Sequence, residues 1–354
     1  MLKKIEIFFR RMFLNTLLHF YGKSISNNFN TFDSDSSILF IRLNRIGDAL
    51  VTTPLLYEVK NQLGCKVYVL ADRKNYFIYD NNPSIDETII FNKGLSGIFN
   101  VRRFIKKKNI NTIVDLHDDV STTVSFIIVL SGVKNRFSLK KSNEKIYTNT
   151  IKRLDSSSNH VIERLLELSK LFNINVNSSD ASIRYYPKQD STKKANRWIS
   201  KLNPANKFLL GINISAGSDA RFWGVINYTR LITLLKEYNI VYVIFSTPKD
   251  YDLAKKIDNE NFIYPPSEDF SDIAAAILEV NMLFAPDTSV IHIASIKKIP
   301  VFGVYVKYNT NDMIWSPYNT KFDCVITEEP TLKNVTFDEV KKKFIPFLEQ
   351  TLNV

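Results

Sequence analysis

Cysteine is nearly absent: Cys65 and Cys324 are the only two in 354 residues. Each lies in or beside an apolar run, so buried free thiols in a reducing compartment are expected and a disulfide framework is not. Glycine is also scarce, with ten in the chain, so those standing in loops draw notice. No Gly-x-Gly-x-x-Gly follows the first apolar strand, which argues against a nicotinamide enzyme. No uninterrupted apolar stretch reaches the roughly 20 residues of a membrane-spanning helix. Zinc-knuckle and RNP-like sequences are missing, and the lysines are spread as solvated helix faces usually are, so nucleic acid ranks last among partners.

What is present is a chain with 45% hydrophobic residues, too long for one ordinary core, so two domains are expected. The formal net charge of +11 calls for anionic partners, either nucleotide phosphates or an acidic membrane surface. The N-terminal stretch MLKKIEIFFRRMFLNTLLHFY places Leu2, Ile5, Phe9, Met12, Phe13 and Phe20 on one helical face and Lys3, Lys4, Arg10 and Arg11 on the other side. Such a helix lies in an anionic bilayer interface or docks on its own protein, and the pattern does not name which. Charges interrupt its apolar region and no small-residue cleavage site follows, unlike a signal peptide.

After a Ser/Asn/Asp-rich connector at 24–37, strands are predicted over 38–43, 66–70, 88–91 and 112–116, alternating with helices. Alternation of this kind predicts a parallel doubly wound sheet. Polar, irregular sequence at 138–158 precedes a helix at 160–172, and a second unit restarts with strands at 208–214, 240–245, 262–264, 282–285 and 301–305. Further helices are predicted near 54–63, 194–202, 228–238 and 269–280, and Thr336 with Glu339 makes a capping box for a terminal helix that Pro346 kinks or shortens. The expected division is an N-terminal helix and connector (1–37), a first Rossmann-like domain (38–190), a second (191–335) and a terminal helix (336–354). Two Rossmann-like halves facing a central cleft make the GT-B arrangement of many glycosyltransferases, although the pattern also permits other two-domain α/β enzymes.

The most informative segment is ILFIRLNRIGDALVTTP, where an apolar strand runs into a basic loop with one Gly-Asp pair before a helix. In an open parallel sheet the ligand crevice lies at the strands' carboxyl ends, which is where Arg42, Asn44, Arg45, Gly47 and Asp48 fall. By residue type alone Asp48 is either a base or a structural acid that caps the next helix or pairs with Arg45. Two further segments, GINISAGSDARFWGVINYTRL and FAPDTSVIHIASIKKIPVFGVY, follow in the second half.

Together the three segments resemble glycosyltransferase family 9, the heptosyltransferases of the bacterial lipopolysaccharide inner core. Gly47, Asp48, Thr52 and Pro54 match the family's first loop and helix start. The resemblance implies an inverting transfer of heptose from ADP-heptose to the lipopolysaccharide or lipooligosaccharide inner core, without cofactor or metal. It makes Asp48 the general base; Arg45 and Gly47 of the same loop, and Asp115, His117, Asp118 and Asp119 of VDLHDD at the end of another strand, are placed to touch the acceptor, with Arg45, Gly47, His117 and Asp118 the contacts expected. The donor would be held by the backbone of Ser215, Ala216, Gly217 and Ser218, by the Arg221 guanidinium, and by Asp287, Thr288, Ser289 and His292. Asp287 either touches a sugar hydroxyl or is only an N-cap, the commonest role for an acid at such a boundary, and His292 draws notice only from its register after Asp-Thr-Ser. The acceptor would be a lipid-linked saccharide, reached by a cytoplasmic protein peripheral on the inner face of the cytoplasmic membrane.

Departures from the family pattern bear on the donor. Ser215 stands where Pro-Gly would open the loop, Gly224 replaces the proline after Trp223, Ser289 replaces a glycine, and Lys307, Tyr308, Asn309 and Thr310 replace a Gly-Pro-Thr-like loop. Another nucleotide-sugar donor, or a non-catalytic membrane-associated nucleotide-sugar-binding protein, are therefore alternatives. The Asp33-Ser34-Asp35 triplet reads as solvated loop rather than an Asp-x-Asp metal site, and the acids of VDLHDD are poorly spaced for a metal.

Overall fold

Ile38, Leu39, Phe40 and Ile41 are fully buried, as a strand covered on both faces requires. Leu39 and Ile41 face the helices Leu95–Lys107 and Thr122–Leu130, while the Phe40 ring lies 6.2 Å from Phe172 on the opposite side. The computed structural model describes Met12, Thr16 and residues 31–353. Apart from those first two residues, the expected N-terminal amphipathic helix lies outside the described residues.

The chain divides into two compact units, Met1–Arg184 and Tyr185–Val354. In the first, strands β1 (Ser37–Arg42), β2 (Lys66–Ala71), β3 (Glu87–Ile90), β4 (Thr112–Asp115), β5 (Asn135–Leu139) and β6 (Asn149–Ile151) form a sheet of order β3-β2-β1-β4-β5-β6. Each neighbouring pair is parallel. The second unit holds β7 (Leu209–Asn213), β8 (Val241–Phe245), β9 (Met282–Pro286), β10 (Val301–Val306) and β11 (Phe322–Thr327), also parallel, in the order β11-β10-β9-β7-β8. Both are doubly wound α/β sheets of Rossmann type. In each, the strand order reverses between two strands distant in sequence, β1 beside β4 and β7 beside β9. Ligands of such sheets bind outside the carboxyl ends at that switch point.

Several expected elements differ. The predicted strand at 262–264 is instead a 3-10 turn at Glu260–Phe262 with a lone bridge from Ile263 to Ile244. The segment 138–158, read as irregular, contains the end of β5, a 3-10 turn and β6. β6 is a three-residue, half-buried edge strand, too short and polar to leave an apolar signature. The helix expected over 160–172 is α-helical only at Val161–Leu166 and tightens to 3-10 geometry at Glu167–Phe172.

The capping box at the terminal helix is present: Glu339 N–H donates to Thr336 Oγ1 at 3.3 Å and Thr336 N–H to Glu339 Oε2 at 2.7 Å. That helix, Phe337–Leu352, runs through Pro346 rather than stopping there. Pro346 is exposed, so water can serve the carbonyl that loses its partner. Far from standing apart, the helix completes the second unit's core, with Phe344 fully buried and its ring 5.5 Å from Phe284 and 5.3 Å from Phe302. Replacing Phe344 by Ala should cost about 3–5 kcal/mol in urea unfolding of the second unit; a loss under about 1 kcal/mol would mean that this helix is not integral to that core.

Candidate active site

The carboxyl edge of the first sheet is organised by a buried cation. Arg42, the last residue of β1, is 2% exposed. It donates through one terminal nitrogen to the Leu116 carbonyl just beyond β4 and through the other to Asp48 Oδ1. Asp48 lies in the first turn of the short helix Ile46–Leu50 and makes no side-chain cap there. Its partner is therefore Arg42, not the helix and not Arg45. Among the described residues Asp48 Oδ2 has no hydrogen-bond partner. Arg45 is exposed and Gly47 half-buried beside it.

Below this loop lies a second polar cluster. Asp115, at the end of β4, is 1% exposed and accepts from Lys141 Nζ at 2.7 Å, Tyr147 Oη at 2.6 Å and His117 Nδ1 at 2.7 Å. The Leu43 amide donates to His117 Nε2 at 3.1 Å. An amide cannot accept, so Nε2 carries no proton and Nδ1 does, which makes His117 neutral. Burial lowers the His117 pKa in agreement, outweighing the attraction of Asp115. Burial would raise Asp115, but Lys141 and His117 together hold its carboxyl well below the usual carboxylate range. Burial and the Asp115 charge push the Tyr147 phenol well up.

His117 and Asp118, both expected to touch an acceptor, are thus placed differently. Both His117 ring nitrogens are engaged inside the protein. Asp118 pairs with Arg153 at 2.9 Å and with Arg164 at 3.1 Å.

In the second unit the switch point brings together two segments some seventy residues apart. Asn213, ending β7, donates from Nδ2 to the Ser215 carbonyl at 2.9 Å and to Thr288 Oγ1 at 3.3 Å. Arg221 pairs with Asp287 at 3.1 Å, so it is not merely a solvated arginine beside Trp223, which is a buried core residue donating to the Val335 carbonyl. Ser215 is fixed by the loop after β8, donating to Asp250 Oδ2 at 2.7 Å and accepting from the Thr247 amide at 2.8 Å. Ala216 is half-buried, whereas Gly217 and Ser218 are exposed. His292 is buried in the helix Val290–Ile296, its ring 6.3 Å from Trp315.

Two departures now have a physical basis. Gly224 has φ +104°, where proline, fixed near −65°, cannot sit. Ser289 has φ −59° and ψ −21°, so no glycine is needed there. Gly217 is neither at positive φ nor crowded, and a Cβ there would meet open space; the fold itself does not require glycine at that position. Sequence reasoning missed Asn213, Thr247, Asp250, Lys141 and Tyr147 as organising residues. A polar residue closing an apolar strand was a usable signal for Asn213, whereas Lys141 stands in a run of polar residues with none.

A family model described as glycosyltransferase family 9 (heptosyltransferase) matches residues 98–344. The chain belongs to glycosyltransferase family 9. Like the family, it is a glycosyltransferase, and its pair of Rossmann-like units is that of the GT-B class. It is 21% identical over 299 residues, 81% of this chain and 83% of the relative, to the lipopolysaccharide core heptosyltransferase OpsX of Haemophilus influenzae. The fold is similar to that of a family 9 glycosyl transferase from Veillonella parvula, with TM-score 0.76, 18% identity and coverage of 90% of this chain and 99% of that one. E. coli heptosyltransferase WaaC, solved with ADP, gives TM-score 0.69 at 15% identity, covering 90% and 100%.

The neutral His117 makes stability depend on pH. Its folded pKa is depressed, so its contribution is complete above the unfolded value of about 6.5 and is lost as pH falls through that value toward the folded one. Chemical denaturation of His117→Gln should therefore show a shallower loss of stability than wild type as pH falls below about 6.5. Parallel curves would mean that His117 titrates alike in both states.

Proposed function

We propose that this family 9 transferase moves heptose from ADP-heptose, with inversion, to the inner core of lipopolysaccharide or lipooligosaccharide. The observation that carries the reading is the Asp48 carboxylate at the end of β1, held through one oxygen by buried Arg42. In this reading Asp48 Oδ2 takes the proton of the acceptor hydroxyl as that oxygen bonds to the anomeric carbon. The bond from that carbon to the diphosphate breaks on the opposite face, and ADP departs with the electron pair. Arg42 sets the carboxylate's orientation. The exposed Arg45 and the adjoining Gly47 are the acceptor contacts retained. His117 acts through the Leu43 amide and Asp118 through its two arginines, as supports of the loop.

On the donor side, Arg221 would bind diphosphate oxygens with the guanidinium nitrogens not used by Asp287. Ser215, Ala216, Gly217 and Ser218 would line the diphosphate with backbone amides, with Gly217 leaving room for close approach. Thr288, Ser289 and His292 would contact nucleotide or sugar. Support for the ADP donor comes from the related E. coli enzyme solved with ADP, and for the acceptor from the lipopolysaccharide core relative. A lipid-linked acceptor fits a protein peripheral on the cytoplasmic face of the membrane; no described helix is long and apolar enough to cross one. The exposed stretch Tyr308, Asn309 and Thr310 favours a second reading in which the donor is a different nucleotide sugar, and side-by-side turnover of several donors separates the two.

Asp48→Asn keeps an oxygen for Arg42 but cannot take a proton. It should lower turnover about a hundredfold or more with donor affinity nearly intact, and unchanged turnover would remove Asp48 as the base. Calorimetric titration with ADP should show Arg221→Ala binding about tenfold or more weaker than wild type, in proportion to a lost charge-assisted bond. Equal affinity would place the diphosphate elsewhere.

A further inference from the structure

We infer that the exposed face of the helix Leu95–Lys107 docks the first unit on an anionic lipid bilayer. Leu95 and Phe99 are among the most exposed large apolar side chains described, at 73% and 67%. At 3.6 residues per turn, Leu95, Phe99, Arg102, Arg103 and Lys106 fall within an arc of roughly 100°. Val101 and Ile105, on the opposite side, are buried against the sheet. Gly97 fixes this rotation: a Cβ there would come within 1.6 Å of the Asn92 carbonyl oxygen.

Along this helix and its flanking residues the charge has one sign. Between Thr88 and Val114 there is no acid, while Lys93, Arg102, Arg103, Lys106, Lys107 and Lys108 are all present. Lys108 pairs with Glu87; among the described residues the other five have no ion-pair partner. An apolar pair flanked by exposed cations matches the bilayer interface, where apolar groups enter the acyl boundary and cations meet anionic headgroups.

Charge also decides against other covers. The chain's own N-terminal stretch carries Lys3, Lys4, Arg10 and Arg11 against Glu6, and a second copy would bring a net +11 and the same basic face. Both would repel. Position adds to the argument: the helix begins just after β3 ends at Ile90 and runs back antiparallel to the strands. Leu95 and Phe99 therefore lie toward the sheet's carboxyl edge, the edge that bears Asp48. The inference does not rest on the catalytic reading, since it needs only the surface.

The test is co-sedimentation of the full chain with phosphatidylglycerol-containing and pure phosphatidylcholine vesicles. Leu95→Ser/Phe99→Ser and Arg102→Gln/Arg103→Gln/Lys106→Gln are compared with wild type, each checked for an unchanged thermal unfolding midpoint. Wild type should bind the anionic vesicles, and each variant should bind about tenfold or more weakly. The binding that the Leu95/Phe99 variant retains should be the more salt-sensitive. Wild-type-like binding by both variants, or equal wild-type binding to neutral vesicles, would overturn the proposal. So would sedimentation velocity showing that the variants break a dimer, which would give the face to a second copy.

Discussion

The parallel pairing of strands distant in sequence is the constraint on which both candidate sites depend. β1 lies against β4 with Ile41 opposite Asp115, and β7 lies against β9 with Ile212 opposite Phe284. Flanking helices leave such neighbours in opposite directions, so the loops at their carboxyl ends stay uncovered and carry polar groups that no ladder satisfies. In the first unit those groups are Arg42, Leu43, Leu116 and His117; in the second they are Asn213, Ser215, Asp287 and Thr288.

The two edges meet their polar demands differently. The first is stiff: Arg42 and the Asp115 cluster bury several charges, and each has a partner within hydrogen-bond distance. Buried charge is tolerated only under those conditions, and such a cluster fixes geometry more than it adds stability. A carboxylate meant to meet a hydroxyl in one orientation benefits from that rigidity. The second edge is more open, with Arg221 and Asp287 both partly exposed and Gly217 facing empty space. An edge of that kind suits a ligand that brings its own negative charge.

The surface follows a related division. The net positive charge is not uniform, and on the helix Leu95–Lys107 it coincides with exposed apolar side chains. Cations elsewhere are often paired, as Lys60 is with Asp86 and Lys194 with Asp272. Local absence of acids, rather than the total charge, is what sets the Leu95–Lys107 face apart.

Much of this was legible in the chain itself. Continuous apolar runs such as 38–41 and 282–285 announce buried parallel strands because both faces need covering, and the Gly-Asp, Asp-Thr-Ser and Arg-Phe-Trp segments announced the candidate loops. Local pattern could also give the capping box at Thr336, since its partners are three residues apart. Only the tertiary structure decided the partners. Asp48 chose Arg42 over Arg45, His117 turned inward to the Leu43 amide, and Lys141 and Tyr147 arrived from a segment without any apolar signal. Edge strands β6 and β11 were likewise invisible, being half exposed. Periodicity reports which side of an element meets the core, because burial acts on every turn or alternate residue. It carries nothing about which distant polar group satisfies another, since that depends on strand order and on where each chain segment returns.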